Sequence, residues 1–230
     1  MKPFALSIRH AATRRRAALT VLLSALLSAA VPLTLVACSA SLPPGTESST
    51  APSPAVASAG WRLNSQASEL QFVTTKNTNV AEVQKFTRLA GSISPSGAVQ
   101  LVIDLASVET QIPIRNERLQ TLLFDIARFP TAQFDAQLDL APVQALAVGT
   151  HADVDVVGTL RIRGQSHAAT ALLRVVSLRD NRLLVSTRAP ILVNAAQYDL
   201  TAGIEQLRAL MGLPNIIGTV PVSLALVFQR

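Results

Sequence analysis

Few side chains in this sequence have the chemistry of a catalytic or metal site. The three histidines, His10, His151 and His167, do not pair at a spacing that is typical of metal ligands. Asp153 and Asp155 alternate along a predicted strand, so their carboxylates would lie about 7 Å apart on one face. Such a pair can act in acid–base catalysis, but a solvated strand face is the simpler interpretation. With no G-x-S-x-G motif either, the sequence predicts a protein that is not an enzyme and has no metal site.

The only cysteine, Cys38, stands at the end of a long apolar segment near the N-terminus. Five basic residues, Lys2, Arg9 and residues 14–16, precede the apolar run of residues 17–37. A basic start, an apolar run and a small residue before a cysteine are typical of a secretory signal that ends in a lipid-attachment site. The segment resembles the lipobox of bacterial lipoproteins. This resemblance implies that the Cys38 thiol carries a diacylglycerol and that Cys38 begins the mature chain.

A transmembrane helix is the alternative interpretation of this segment, because about 20 apolar residues span a bilayer. However, Thr20, Ser24, Ser28 and Thr34 dilute the run, Pro32 lies near its end, and no basic residue follows it closely as a stop-transfer flank. These features favour a cleaved and lipidated signal.

Removing the leader changes the net charge of the chain. The full sequence has 20 basic and 14 acidic residues, a net charge of +6, but five of the basic residues and none of the acidic ones precede Cys38. The remaining 15 basic and 14 acidic residues give a net charge of +1. A nearly neutral domain lacks the basic surface on which nucleic-acid binding depends, and few aromatic residues are present to stack on bases. The sequence therefore predicts no nucleic-acid partner.

The segment between Cys38 and the tryptophan at position 61 has the composition of a linker. Residues 39–59 are mostly Ser, Ala, Pro and Thr, with one charge and no hydrophobic period, which is typical of a disordered tether. We therefore predict three regions: a signal peptide at residues 1–37, the lipidated cysteine with its tether at residues 38–59, and one domain at residues 60–230. A domain of this length can bury a substantial core.

Alternation of apolar and polar residues dominates the predicted domain. Apolar residues recur at alternate positions within Leu70–Phe72, Val99–Leu105, Phe134–Leu140, Val154–Ile162, Ala171–Val175, Leu183–Ile191 and Val220–Phe228. Turn-forming residues separate several of these runs, at 95–97, 164–166 and 179–181. About seven to nine strands joined mainly by short turns predict an all-β domain, either a closed antiparallel barrel or a sandwich.

Two segments have a helical period instead. Residues 114–124 carry apolar side chains three and four positions apart and follow Pro113, and residues 203–213 have one apolar face and end before Pro214. We expect both helices to be short and to cap the barrel openings.

Several motifs of the domain occur in an order that is known from other proteins. They are Trp61–Leu63, Leu70–Phe72, Val108–Ile112, Arg115–Arg118, Leu123–Asp125, Phe129–Pro130, Ala132–Phe134 and Val157–Gly164. Together they resemble the YceI-like domain over essentially residues 61–230. The resemblance implies a lipocalin-like antiparallel β-barrel with an elongated apolar cavity and, in some members, a bound polyisoprenoid; members are typically periplasmic or secreted. Residues 76–83 depart from the family pattern, and His167 corresponds only loosely to the family's usual histidine.

A barrel of about eight strands is wide enough either to be filled by its own side chains or to hold one thin ligand. Inward-facing apolar side chains suit both outcomes, so the residues alone leave a solid core and a lipid-holding cavity open, and the resemblance favours the cavity. The candidate ligand-binding residues are Phe72, Leu101, Ile103, Phe134, Leu138, Val156, Leu160, Val185, Val222 and Leu224.

A cluster of charged residues lies in and around the first predicted helix. Arg115 and Arg118 are candidates for binding a ligand head group, because guanidinium groups donate hydrogen bonds to diphosphate or quinone oxygens. In the alternative, Glu109, Glu117 and Asp125 pair with these arginines and attach the helix to the barrel rim. The structural role is the one we expect.

These features predict a lipid-anchored binding protein of the cell envelope. Ser39, rather than aspartate, follows the lipidated cysteine, which by analogy with other lipoproteins favours the outer membrane and a domain that faces the periplasm. The protein would hold an isoprenoid, such as a quinone or polyprenyl lipid, as a carrier or reservoir, without another cofactor. Its partners would be the membrane and this apolar ligand, and a homodimer is left open. The alternative is a tethered protein–protein interaction module with a solid barrel core.

Overall fold

The computed structural model describes residues 60–230, which are mostly β-strand. The predicted signal peptide, the lipidation site at Cys38 and the tether lie outside the described residues.

Twelve strands form one antiparallel sheet. In chain order they are β1 (Trp61–Leu63), β2 (Glu69–Lys76), β3 (Val80–Phe86), β4 (Leu89–Ile93), β5 (Ala98–Asp104), β6 (Val108–Glu109), β7 (Thr131–Gln137), β8 (His151–Ile162), β9 (Gln165–Leu178), β10 (Arg182–Thr187), β11 (Ile191–Asn194) and β12 (Thr219–Gln229). The helices are α1 (Pro113–Arg118), which continues as a π-helix (Leu119–Phe124), α2 (Ala141–Gln144) and α3 (Thr201–Leu210).

The sheet closes on itself because its first and last strands pair. Short interruptions divide four long strands into the segments β1 and β2, β3 and β4, β5 and β6, and β10 and β11, so the twelve segments make eight continuous strands. Strand β12 pairs with β1, where Leu63 lies opposite Phe228, and with β2, where Leu70 lies opposite Leu224. Each remaining continuous strand pairs with its neighbours in sequence. The structure therefore confirms the predicted antiparallel barrel and not the sandwich.

The two-residue alternation places apolar side chains inside the barrel. In β5, Leu101 and Ile103 are buried while Gln100 is exposed, as the pleat of a strand requires. A tight turn joins β8 to β9 through Arg163 and Gly164, whose φ angles are 49° and 78°. Glycine adopts such a positive φ without strain, and a two-residue turn of this kind matches the twist of the flanking strands.

The two ends of the barrel are closed by different elements. At one end, which we call the base, lie Trp61, the β4–β5 turn, α2 and the C-terminal Arg230. Trp61 is buried, and the Arg230 guanidinium lies 3.7 Å from the centre of its ring. Leu140 and Val143 are also buried at the base. At the opposite end, which we call the cap end, α1 and its π-helical continuation pack near α3.

Both predicted helices are present, but their bounds and placement differ from the expectation. They occupy residues 113–124 and 201–210 and cover the same end of the barrel. Helix α2 was not predicted, because Leu138 and Leu140 continue the alternation of β7, which in fact ends at Gln137. None of the helices within residues 60–230 has the length and apolar character of a membrane span.

Helix α3 approaches the π-helix closely at Gly203. A Cβ atom on this residue would lie 2.6 Å from the Leu122 carbonyl oxygen and 2.9 Å from the Leu123 Cα. Because both neighbours are backbone atoms, only a residue without a side chain fits between the two helices as they are packed.

Candidate functional site

The barrel encloses an apolar cavity of about 300 Å³. Strands from all around the barrel contribute to its wall. The structure places each of the ten predicted ligand-binding side chains on this wall, namely Phe72, Leu101, Ile103, Phe134, Leu138, Val156, Leu160, Val185, Val222 and Leu224. Their contact with a ligand stays a prediction.

The size of the cavity separates it from the small voids of a packed core. A void of about 10–15 Å³ on this measure is enough for one water molecule, and pockets for small ligands begin at about 300 Å³. The cavity therefore agrees with the lipid-holding barrel that the resemblance favoured rather than with the alternative of a solid core. An apolar cavity of this kind favours an apolar occupant, because water inside it would find few hydrogen-bond partners.

Aromatic rings form part of the wall near the cap end. The rings of Phe72 and Phe86 stack with their centres 5.2 Å apart, and those of Phe86 and Phe124 lie 6.0 Å apart in a tilted arrangement. Phe124, the last residue of the π-helix, thus connects the cap to the wall. These rings give this part of the cavity a rigid apolar surface.

The polar side chains on the cavity wall cluster at the cap end. Among the described residues they are Thr74 and Lys76 from β2, Glu82 and Gln84 from β3, and Arg115 and Arg118 from α1. In the register of β2 with β3, Thr74 lies opposite Glu82 and Phe72 lies opposite Gln84. The cavity is therefore apolar along most of its length and polar at one end, which is the distribution that a molecule with a long tail and a small head would require.

Glu82 holds two cations at the cap end. Its carboxylate lies 3.0 Å from the Lys76 Nζ and 2.6 Å from the Arg115 Nη1, and the Arg115 Nη2 also donates to the Thr110 carbonyl oxygen at 2.7 Å. Burial raises the pKa of Glu82, but the hydrogen bond from Lys76 and the charge of Arg115 outweigh it and leave the pKa below its usual value. The carboxylate is therefore ionised at neutral pH and attaches α1 to β3.

The predicted structural role of the arginines is thus seen for Arg115, but with a different partner. We expected Glu109, Glu117 or Asp125 to pair with it, and none of them does in the described part of the chain. Asp125 instead lies 3.3 Å from Arg128. The carboxylate of Glu109 accepts hydrogen bonds from the backbone of Gln111 and from Asn116, which lie nearer to it in sequence.

Two buried polar atoms of residues on the cavity wall have no hydrogen-bond partner within residues 60–230. They are the Oε1 of Gln84 and the Nε of Arg115, both buried. Arg118 lines the same end of the cavity and has no carboxylate within 4.0 Å in the described part of the chain. Buried polar atoms are normally paired, and each exception requires an explanation.

The sequence did not predict four of these polar residues as part of the site. Thr74, Lys76, Glu82 and Gln84 lie on the hairpin formed by β2 and β3. Residues 76–83 did stand out as a departure from the family pattern, which was the available signal. Glu82 contacts Arg115, which lies 33 positions later in the chain, and no local pattern encodes such a contact.

The other candidates for chemistry lie outside the cavity. Asp153 lies on the outer face of β8 and accepts hydrogen bonds of 2.8 and 3.1 Å from Arg174 of β9. Its carboxylate also lies 3.3 Å from Arg188. The hydrogen bond from Arg174 holds the pKa of Asp153 below its usual value, so this group does not serve as a proton donor near neutral pH. Residues 60–230 contain no group of three or more His, Cys, Asp or Glu side chains placed to hold a metal ion.

Comparisons with other proteins agree with this architecture. The family model of the YceI-like domain matches residues 61–228. A polyisoprenoid binding domain from Saccharophagus degradans, described as implicated in plant cell wall breakdown, is 42% identical; the match covers 74% of this chain and 98% of that domain, with a TM-score of 0.72. The crystal structure of Burkholderia cenocepacia BcnA shares the fold at 18% identity, 72% and 98% coverage and a TM-score of 0.53. No curated protein matches this chain.

Proposed function

This chain belongs to the YceI-like domain family, and from that membership we propose that it is a lipid-anchored binding protein that holds an isoprenoid or a similarly long apolar molecule in its barrel. It acts by binding rather than by catalysis, as a carrier or reservoir for this ligand. The observation that carries the proposal is the apolar cavity of about 300 Å³ with polar side chains gathered at one end.

The apolar wall supplies most of the binding free energy in this proposal. Burying one methylene group contributes about 0.8 kcal/mol, so one isoprene unit of five carbons contributes about 4 kcal/mol before the entropic losses of binding. A few units inside the cavity are enough for tight binding without many polar contacts. The likeness to the polyisoprenoid binding domain of Saccharophagus degradans, at 42% identity, supports this class of ligand.

The head of the ligand lies at the cap end in this proposal. Arg118 points a cationic group at the cavity without a carboxylate partner among the described residues, so it is free to interact with an oxygen of the head group. Arg115 contributes less directly, because two of its nitrogens already bind Glu82 and Thr110. The ten apolar side chains named above would contact the tail.

The location follows from the leader. A diacylglycerol on Cys38, behind a cleaved signal at residues 1–37, would hold the domain at a membrane through residues 39–59. We propose the outer membrane, with the barrel facing the periplasm. In this position the domain could collect or release a membrane-derived ligand.

The test is to identify what the purified protein carries. The full chain is expressed in a bacterial host, purified, extracted with organic solvent and analysed by mass spectrometry, together with A171W and A168W. Ala171 is buried and lines the cavity, whereas Ala168 is exposed on the outer face of the same strand. We expect a long apolar molecule in near-stoichiometric amount from the wild type and A168W, and a loss of more than about 90% from A171W, because the new side chain fills the cavity. Extracts that are empty for all three folded proteins would contradict the proposal.

The same preparation tests the anchor. A diacylglyceryl group adds a defined mass to the N-terminal peptide that begins at Cys38 and carries the protein into the membrane fraction. An unmodified thiol at Cys38, or a mature N-terminus elsewhere, would contradict lipid anchoring without affecting the proposal for the cavity.

A further inference from the structure

The buried amide of Gln84 is the least expected group in the cavity. Its side chain is almost fully enclosed, at 5% exposure, and lines the cavity among apolar neighbours. Its Nε2 donates to the Thr74 Oγ1 at 3.0 Å, but its Oε1 has no partner in the described part of the chain. An unpaired buried acceptor destabilises a protein by about 1–3 kcal/mol. Turning the amide around would only leave its nitrogen unpaired in place of its oxygen.

The position of Gln84 places this acceptor between two layers of the cavity. Glu82, Gln84 and Phe86 alternate along β3 and face inward, while Val83 and Lys85 face outward. Successive inward side chains on a strand lie about 7 Å apart. Gln84 therefore lies one step below the charged layer of Glu82 and Arg115, at the level of Phe72 on the neighbouring strand. Phe86, whose ring stacks on that of Phe72, lies one step further towards the base.

A second unpaired group lies in the charged layer. The Nε of Arg115 is a buried donor without a partner among residues 60–230, while the other nitrogens of this guanidinium bind Glu82 and Thr110. Among the described residues, the cavity wall at the cap end thus offers one unpaired acceptor, on Gln84, and one unpaired donor, on Arg115. A hydroxyl group on a ligand supplies the donor that the Gln84 oxygen lacks, and other oxygens of the head can accept from a guanidinium.

We propose that Gln84 recognises a hydroxyl group at the head of the ligand, so that the cavity selects an isoprenoid alcohol or phenol over the corresponding ether or hydrocarbon. The inference rests on the proposed function, since it concerns the head of a molecule whose tail occupies the cavity. The ligand O–H donates to the Gln84 Oε1, and the tail extends from there along the apolar wall towards the base. Arg118, which also lines the cavity at the cap end, acts on other oxygens of the head.

The experiment replaces the hydroxyl hydrogen of the ligand by a methyl group, with a hydrocarbon of the same carbon skeleton as a reference without a head. The lipid-stripped full chain is titrated by calorimetry with farnesol, with farnesyl methyl ether and with farnesane, the saturated hydrocarbon. One net hydrogen bond of about 0.5–1.5 kcal/mol corresponds to a factor of about 2 to 12 in affinity. We expect wild-type protein to bind farnesol more tightly than its ether by a factor in this range, and to bind farnesane with no more affinity than the ether.

Two variants assign the preference to one residue. Q84L has nearly the same volume and no unpaired oxygen, so it should fold and should bind farnesol and the ether equally, with the ether bound as tightly as in the wild type. Q100L makes the same change at an exposed position on the outer face of β5 and should keep the wild-type ratio. If Q84L failed to fold, Q84M would replace it, and the ligand comparison on the wild type would still test the preference.

The outcomes separate this inference from the proposed function. Equal binding of farnesol and its ether to the wild type, or an unchanged ratio in Q84L, would overturn the role of Gln84 while leaving apolar binding intact. Failure of the wild type to bind any of the three compounds would overturn the proposed function and this inference with it.

Discussion

The base and the cap end are formed by the same strands but differ in the polarity of their buried side chains. At the base, Trp61, Leu140 and Val143 are buried among other apolar side chains. At the cap end, the cavity wall carries charged side chains and two buried polar atoms, on Gln84 and Arg115, that have no partner in the described part of the chain. A region that serves stability alone does not retain such atoms, because each of them destabilises the folded state by about 1–3 kcal/mol. The contrast indicates that the base maintains the fold and that the cap end is shaped for a ligand.

The largest expected effect is on stability at the base. W61A removes a buried ring that does not line the cavity, so it should lower the free energy of unfolding by about 3–5 kcal/mol. Urea unfolding followed by circular dichroism measures this change, with W61F as the conservative control. Ligand recovered from the folded fraction should stay near-stoichiometric. If W61A lost its ligand while its free energy of unfolding stayed unchanged, the assignment of fold stability to the base and ligand binding to the cap end would be wrong.

A smaller effect is expected where the helices of the cap end meet. In G203A the new Cβ would lie 2.6 Å from the Leu122 carbonyl oxygen, so the two helices must separate slightly. Overpacking of this kind destabilises by about 1–3 kcal/mol, and the better helix propensity of alanine offsets up to about 1 kcal/mol. We expect faster amide hydrogen exchange in residues 113–124 and faster ligand release, with little change in exchange at the base.

The control for this prediction is A209V, on the exposed face of the same helix. It should change stability by no more than about 0.5 kcal/mol. Exchange that accelerates equally throughout the barrel in G203A would show that the cap end does not open as a separate unit.

The smallest expected effect concerns the ion pairs of Glu82 and depends on pH. Because the pKa of Glu82 is lowered in the folded protein, its contribution to stability is present above the unfolded pKa of about 4.3 and is lost as the pH falls through the lower, folded pKa. E82Q should therefore destabilise the protein by about 1 kcal/mol at pH 7 and by less near pH 3. Thermal unfolding at both pH values measures the difference.

D153N is the matched comparison on the outer face. Asp153 also pairs with arginines, but it lies outside the cavity, so its replacement should leave ligand recovery unchanged. E82Q should reduce ligand recovery, since Arg115 loses the partner that positions it. An equal effect of the two variants on ligand recovery would mean that the charged layer has no special role at the cap end.

Alternation is a local signal and was sufficient to predict the strands, whereas the choice of a barrel over a sandwich came from the resemblance to the YceI-like domain. Leu101 and Ile103 both face inward because alternate side chains of a strand point to the same side of the sheet. The turn at Gly164 is encoded by the turn residues themselves. The hollow centre was beyond this reasoning, since the same inward side chains would line a solid core. The distance across a closed barrel depends on the number and tilt of the strands, which the spacing of residues along one strand does not give.

The polar part of the site was the least predictable. Arg115 was recognised as a rim residue, but its partner, Glu82, comes from a strand 33 positions earlier. In the sequence, Gln84 is an ordinary polar residue, and nothing near it indicates that its side chain is buried. Its significance comes from burial and from a missing partner, both of which depend on the assembled barrel.

The fluorescence of Trp61, which packs against Arg230, can be used to follow the structure of the base. This is the single tryptophan of the chain, and it is buried at the base away from the cavity wall. Its fluorescence emission therefore follows melting of the base and is insensitive to direct quenching by an occupant of the cavity. Because the Arg230 guanidinium lies 3.7 Å from the centre of the indole ring, a substitution of Arg230 would change that emission without touching the cavity wall.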